Sequence, residues 1–336
     1  MSGGDLERIG GATPVTVNAG AGDRWRAILL ERGRSAGIII AFLALFTALA
    51  IGSPYFATKV NLLDILDQQA STLVIAAAST LVLVAGGIDL SVGSIYIFGG
   101  VVAAQIAQSE PSSLAIVIGI LAGVGVGCVN GLVITVFRIN ALIATLAMSF
   151  VVAGLASIVT HGNLIVLVNH PGFGDLAEST FLGVKTSIWI TLVAVVALGV
   201  LLTRTTIGQY VFAVGGNLNA TRLAGVRVNW IRFATYVIAG GMAGLGGVID
   251  DARALSAQAS SGEDLTFTVI AGVVIGGTSI LGGEGSVWRT VVGILFIALI
   301  GNGYALLSLD PLYQQITLGA LMLVAVGLDA FSRGRA

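Results

Sequence analysis

The chain has 336 residues, 56% of them hydrophobic and 10% charged, and a formal net charge of −1; its mean hydropathy is +0.99. Soluble domains carry about 25% charged residues, so a water-soluble core is excluded, and the near-neutral charge gives no basic field for nucleic acid. A single cysteine, Cys128, leaves no intrachain disulfide to form.

The composition is that of an all-α, polytopic membrane protein. Residues 1–35 are polar and rich in Gly, Ala and Arg, without the apolar h-region of a cleavable signal. They read as a flexible cytoplasmic tail with a basic flank, followed by a signal anchor. Apolar runs long enough to cross about 30 Å of hydrocarbon then predict ten spans, near 36–52, 68–87, 90–107, 113–136, 140–160, 186–202, 231–250, 266–283, 287–307 and 312–330. The transmembrane domain is thus 36–330, with a cytoplasmic loop at 203–230 and a short cytoplasmic tail at 331–336. With the N-terminus inside, thirteen of the 16 Lys and Arg residues fall in cytoplasmic segments. Only Lys59, Lys185 and Arg253 fall outside, and the positive-inside rule favours this orientation, with both termini cytoplasmic.

Between the second and third spans lies Gly86-Gly-Ile-Asp-Leu-Ser-Val-Gly-Ser94. A charge at the centre of a membrane helix costs at least about 2.5–3.5 kcal/mol, which makes Asp89 a functional candidate. Asp89, Ser91 and Ser94 fit two compatible roles: capping the helix that follows, or lining a translocation pathway. In the next span Gly119, Gly123, Gly127 and Gly131 repeat every four residues, a smooth ridge suited to close helix packing. Packing can be static or a sliding seam. Asn130 and Asn302 are neutral amides in or beside spans, open either to helix–helix hydrogen bonding or to a hydroxyl-bearing substrate.

The outside segment 161–185 holds His161 and His170, with no metal-ligand spacing around them. In the loop 203–230, residues 218–224 predict a short helix closed by Gly225 as the residue past its C-terminus. Spanning does not require such a helix; it suits docking to a soluble partner, and the alternative is a plain surface loop. The joins at 86–91 and 282–286 are short for connections between full spans, and read as tight turns or as breaks at membrane depth. Before the ninth span, Glu284 and Ser286 pose the same ambiguity as Asp89 and Ser91, and Arg289 stands ready to neutralise Glu284. The Gly-Gly-acid-Ser-Val echo of 86–92 at 282–287 and the Asn-Gly echo of 130–131 at 302–303 imply different offsets, so one duplication cannot produce both.

No nucleophile–base set is legible. Neither lysine follows the Gly-x-x-x-x-Gly that a phosphate-binding loop requires, so any use of nucleotide energy falls to another chain. A stand-alone secondary carrier or channel for small polar solutes is the alternative. It calls for ionisable residues deep within spans, and few occur away from the joins.

Three ordered stretches, Gly86–Ser94, Ala213–Val226 and Gly276–Trp288, resemble the permease subunits of bacterial ABC importers for monosaccharides, the ribose/xylose/galactose permease family. The likeness runs from about residue 36 to 330. It implies a permease for a monosaccharide or related polyol in the inner membrane, working by alternating access. It also implies a second permease copy, a cytoplasmic ATPase with fused nucleotide-binding halves and a periplasmic sugar-binding protein, with ATP and Mg on the ATPase and no cofactor or metal in this chain. The surrounding lipid is the remaining partner. In such families the loop matching 213–226 meets the ATPase, which assigns coupling to Gly216, Asn217, Ala220, Arg222, Leu223 and Gly225.

Overall fold

The computed structural model describes residues 21–260, 262–310 and 312–333. The expected tail over 1–20 and residues 334–336 lie outside them. In chain order the elements are α1 (Ala21–Gly52), α2 (Lys59–Gln68), α3 (Ala70–Val84), α4 (Val92–Ala107), α5 (Ser112–Thr135), α6 (Ala141–Thr160), β1 (Ile165–Val166), α7 (Pro171–Glu178), β2 (Thr180–Phe181), β3 (Val184–Lys185), α8 (Thr186–Arg204), α9 (Thr206–Gly216), α10 (Leu218–Leu223), α11 (Val228–Ala254), β4 (Ser256–Ala257), α12 (Glu263–Ile275), α13 (Val287–Leu306) and α14 (Leu312–Arg333). The basic flank is therefore helical and continuous with the first apolar run.

Every expected span coincides with a helix, but not every helix is a full crossing. Among the described residues α5, α6, α8, α11 and α13 are long and apolar enough, and α2 with α3, bent by 51°, passes only as a pair, as a broken span or a re-entrant loop. The apolar stretches Gly37–Gly52 and Val92–Ala107 are shorter. Two boundaries differ from the sequence reading for physical reasons. The expected span at 68–87 starts at the α2–α3 bend, where the carbonyl of Asp67 accepts from the Arg253 guanidinium at 2.8 Å. A helix break leaves carbonyls in need of such donors. The expected span at 266–283 stops at Ile275, because Gly277 turns into the left-handed region at φ +81°, with its N–H closing on the Val274 carbonyl.

All fifteen residues of α3 are buried, as expected of a helix apolar on every side. Around it the main core gathers Ile95, Tyr236, Val273 and Ile294. Helix α11 packs against α3, α4 and α5. At one end of the bundle the segment expected outside folds over a second core of Leu167, Phe173, Val248 and Ala252, where Ile165 of β1 pairs antiparallel with Ala257 of β4. By contrast α5, α6 and α8 leave Leu121, Phe150 and Val193 exposed, as lipid-facing helices do.

The glycine ridge of α5 is the contact that lets α11 come close. A Cβ at Gly123 would strike the Gly240 carbonyl, and one at Gly127 would lie 2.5 Å from the Tyr236 carbonyl oxygen. At Gly119 the obstacle is the Gly99 carbonyl of α4 at 2.6 Å, and at Gly131 it is the Phe233 ring, also at 2.6 Å. Gly125, between them, faces open space. Overpacking a tight seam costs about 1–3 kcal/mol. Gly123→Ala should therefore lower the melting temperature of the detergent-purified protein, while Gly125→Ala should leave it unchanged or raise it slightly.

Candidate translocation and coupling site

The three stretches singled out in the sequence meet in space, and glycine makes the meeting possible. Helix α3 ends at Val84, whose carbonyl has no partner further along its own helix; it accepts from the Gly283 N–H at 2.9 Å. Gly86, Gly282 and Gly283 all have positive φ, at +74°, +89° and +76°, which glycine adopts without steric cost. A Cβ at Gly282 would lie 2.8 Å from the Gly86 Cα, and one at Gly283 would lie 2.8 Å from the Gly216 Cα. At Gly215 a Cβ would run into the Val84 carbonyl. The α3–α4 join, the α12–α13 join and the end of α9 thus touch backbone to backbone.

From that junction the chain turns directly into α10. Asn217 caps it, its Oδ1 accepting from the Ala220 N–H at 2.9 Å. Thr221 is the one buried residue of α10. Its hydroxyl donates to the carbonyls of Ala213 and Asn217, both at 2.8 Å. Gly225, at φ +84°, closes the C-terminus with its N–H on the Arg222 carbonyl, while the Val226 N–H reaches the Thr221 carbonyl. This is the glycine-terminated helix end expected from the sequence. Gly216, Asn217, Ala220, Arg222 and Gly225 are exposed, and Leu223 is 90% exposed.

Asp89, Ser91 and Asn130 come together in a chain of hydrogen bonds. Asp89 Oδ1 accepts from the Ser91 N–H at 2.9 Å and from the Ser91 hydroxyl at 2.6 Å, and Asn130 Nδ2 donates to Ser91 Oγ at 2.8 Å. Neither side chain caps the first turn of α4: Ser91 is the N-cap residue without a side-chain cap bond, and the Gly93 N–H goes instead to Thr266 Oγ1 at 3.0 Å. The capping role is thus replaced by a link from α4 to α12. Asp89 Oδ2 and Asn130 Oδ1 are buried with no hydrogen-bond partner. Two orphaned oxygens on residues linked through Ser91 suit a ligand that donates, such as a hydroxyl. Ser94 is buried one turn into α4. Asn302 lies elsewhere, in a reciprocal amide pair with Asn61 at 2.8 and 3.2 Å that ties α13 to α2.

One polar cluster was not legible in the sequence. Lys185 Nζ binds Asp67 Oδ2 at 3.0 Å and Glu178 Oε1 at 2.8 Å. Ser187 also donates to the Asp67 carboxylate, and Arg253, which holds the Asp67 carbonyl, pairs with Asp250, itself bound by Tyr96. The hydrogen bond to Glu178, opposed by partial burial and reinforced by Asp67, raises the Lys185 pKa above its ordinary value. These residues join the α2–α3 bend to α4, α8 and α11. Their sequence separations, up to 186 residues, hide them from any motif search. Among the described residues no three His, Cys, Asp or Glu side chains form a metal-binding group.

Residues 61–326 match the family described as the permease component of branched-chain amino acid transport systems. The chain belongs to this permease family. It is 38% identical to the ribose import permease of Escherichia coli strain K12 over 295 residues, 87% of this chain and 92% of that one. It is 38% identical over 301 residues to the L-arabinose ABC transporter permease of Azospirillum brasilense, 89% of this chain and 88% of the relative. The ribose import permease of Bacillus subtilis strain 168 is also 38% identical, over 86% of this chain and 91% of its own. No solved structure matches. The permease is a multi-pass membrane protein and a transport component, not an enzyme.

The junction makes a local prediction. In the permease Gly215→Ala should displace α9 and α10 from the Val84 carbonyl, so that trypsin cuts faster after the exposed Arg222. Gly216→Ala, at a position with open space around it, should leave the cleavage rate unchanged.

Proposed function

We propose that this permease is the membrane-spanning half of an ATP-driven importer that carries a monosaccharide or related polyol across the inner membrane by alternating access. The observation that carries this reading is the junction of Gly86, Gly215–Gly216 and Gly282–Gly283, because it sets the end of α9, which leads straight into the exposed α10, against the join that holds Asp89. The relatives named for ribose and L-arabinose make pentoses the first substrates to test.

In this reading ten helices span, both termini are cytoplasmic, and two copies of the permease face each other. A loaded periplasmic binding protein docks outside. ATP, bound with Mg by a cytoplasmic ATPase with fused nucleotide-binding halves, draws those halves together under α10. Arg222 and Leu223 receive the motion; Gly216, Asn217, Ala220 and Gly225 fix the helix that presents them. The junction passes it to the 85–91 join, and Asp89, Ser91, Ser94 and Asn130 form a polar stretch of the pathway, with Asn302 as a separate polar point. Sugar hydroxyls satisfy the unpaired oxygens of Asp89 and Asn130 in passing. A ligand shifts such an equilibrium only by binding one state better than the other, and two unpaired acceptors supply that difference.

Reconstitution tests the reading. Pentose uptake into proteoliposomes should require the ATPase and hydrolysable ATP, and uptake by the permease alone down an ion gradient would overturn it. The double change Arg222→Ala and Leu223→Ala should preserve membrane insertion and abolish ATP-dependent uptake; full uptake in that variant would remove the coupling role.

A further inference from the structure

A cavity of about 780 Å³ lies where α5, α6, α10 and α11 come together, and Arg138, Arg222 and Arg232 all line it. No Asp or Glu is among its lining residues. The guanidinium of Arg232 reaches the Tyr236 hydroxyl, but its Nε is buried without a hydrogen-bond partner and remains a donor for a ligand. Three guanidinium groups around one space repel one another, and Arg is the side chain best shaped to bind phosphate through paired N–H donors. The cavity therefore fits an anion.

The apolar part of the lining says which anion. Ile139, Leu142 and Ile143 line the same cavity and are exposed, Ile143 by 62%. Next to them Phe137 is 72% exposed. Ile88 and Ile280 of the two joins add to the apolar lining. A free phosphate ion gains nothing from such a lining. An acidic segment of a protein would meet the arginines but leave these apolar side chains uncovered. A molecule with a phosphate at one end and hydrocarbon at the other uses both parts, and basic pockets between membrane helices on the cytoplasmic side are suited to anionic headgroups.

We propose that this cavity binds the headgroup phosphate of an anionic phospholipid, with the acyl chains lying along Ile139, Leu142 and Ile143. The lipid would then occupy the space beside the docking helix, where it neutralises Arg138 and Arg232 and braces α10 through Arg222.

The test uses the full chain in neutral detergent, titrated with short-chain phosphatidylglycerol, phosphatidylcholine or inorganic phosphate. Thermal unfolding and lipid retained in native mass spectra are the readouts. Phosphatidylglycerol should raise the melting temperature and remain bound. The double variant Arg138→Gln with Arg232→Gln should weaken that binding about 30-fold, at about fivefold per arginine. Arg138→Gln alone, on an exposed loop, should give the fivefold loss where the double variant does not fold. Arg227→Gln, which does not line this cavity, should change binding less than about twofold. The proposal is overturned if phosphatidylcholine or inorganic phosphate reproduces the stabilisation, or if Arg227→Gln weakens binding as much as Arg138→Gln. It is likewise overturned if the arginine changes impair assembly with the ATPase while leaving lipid binding intact.

Discussion

Backbone-to-backbone contact through glycine is the constraint on which this structure depends. Within a membrane there is little hydrophobic drive for one helix to prefer another over lipid, so close packing and hydrogen bonds must hold a bundle together. This chain meets that requirement twice. Along α5 the ridge of Gly119, Gly123, Gly127 and Gly131 lets α4 and α11 approach to carbonyl contact. At the ends of α3 and α9, Gly86, Gly215, Gly282 and Gly283 bring two interhelical joins and the C-terminus of α9 to one point. Neither place tolerates a methyl group without moving something.

The two contacts have different consequences. The ridge builds a block of α4, α5 and α11, and α11 in turn packs on the buried α3, whose other sides meet α8, α12 and α13. The junction instead joins segments that are not helical, and irregular backbone at membrane depth persists only where protein or a wet cavity covers it. Here each segment covers the others: the Val84 carbonyl takes the Gly283 N–H, and Gly215 and Gly216 at the end of α9 lie against Val84 and Gly283. The same logic places the charge cluster of Asp67, Lys185, Arg253 and Asp250 at the α2–α3 bend, where a broken helix again needs partners and finds them on α8 and α11.

Much of this was legible in the sequence, and the remainder was hidden for a reason. Hydropathy marks every helix that replaces an expected span, and the four-residue glycine period marks the packing face of α5. Gly225 announces the end of α10, because caps are local chemistry; the Asn217 cap at its start is equally local but was not read. Hydropathy does not reveal where a span breaks: Ala70–Val84 and Glu263–Ile275 sit inside longer apolar runs, and their ends are set by Arg253 and by the turn at Gly277. Long-range partners are equally invisible. Asn302 pairs with Asn61 across 241 residues, and the two short joins carry no sign in their sequence that they touch. Ser91 looks like a cap by position, yet its hydroxyl is taken by Asp89 and Asn130.

Whether α10 and the α12–α13 join move as one body is tested most directly by distances between spin labels. A Cys128→Ser background carries labels at Ala224, just past α10 and exposed, and at the exposed positions Leu281 and Leu132, in the assembled transporter with and without ATP. Movement as one body predicts that the Ala224–Leu281 distance stays constant while Ala224 shifts relative to Leu132 on α5. An Ala224–Leu281 distance that changes with nucleotide while Leu281 keeps its distance to Leu132 would contradict it.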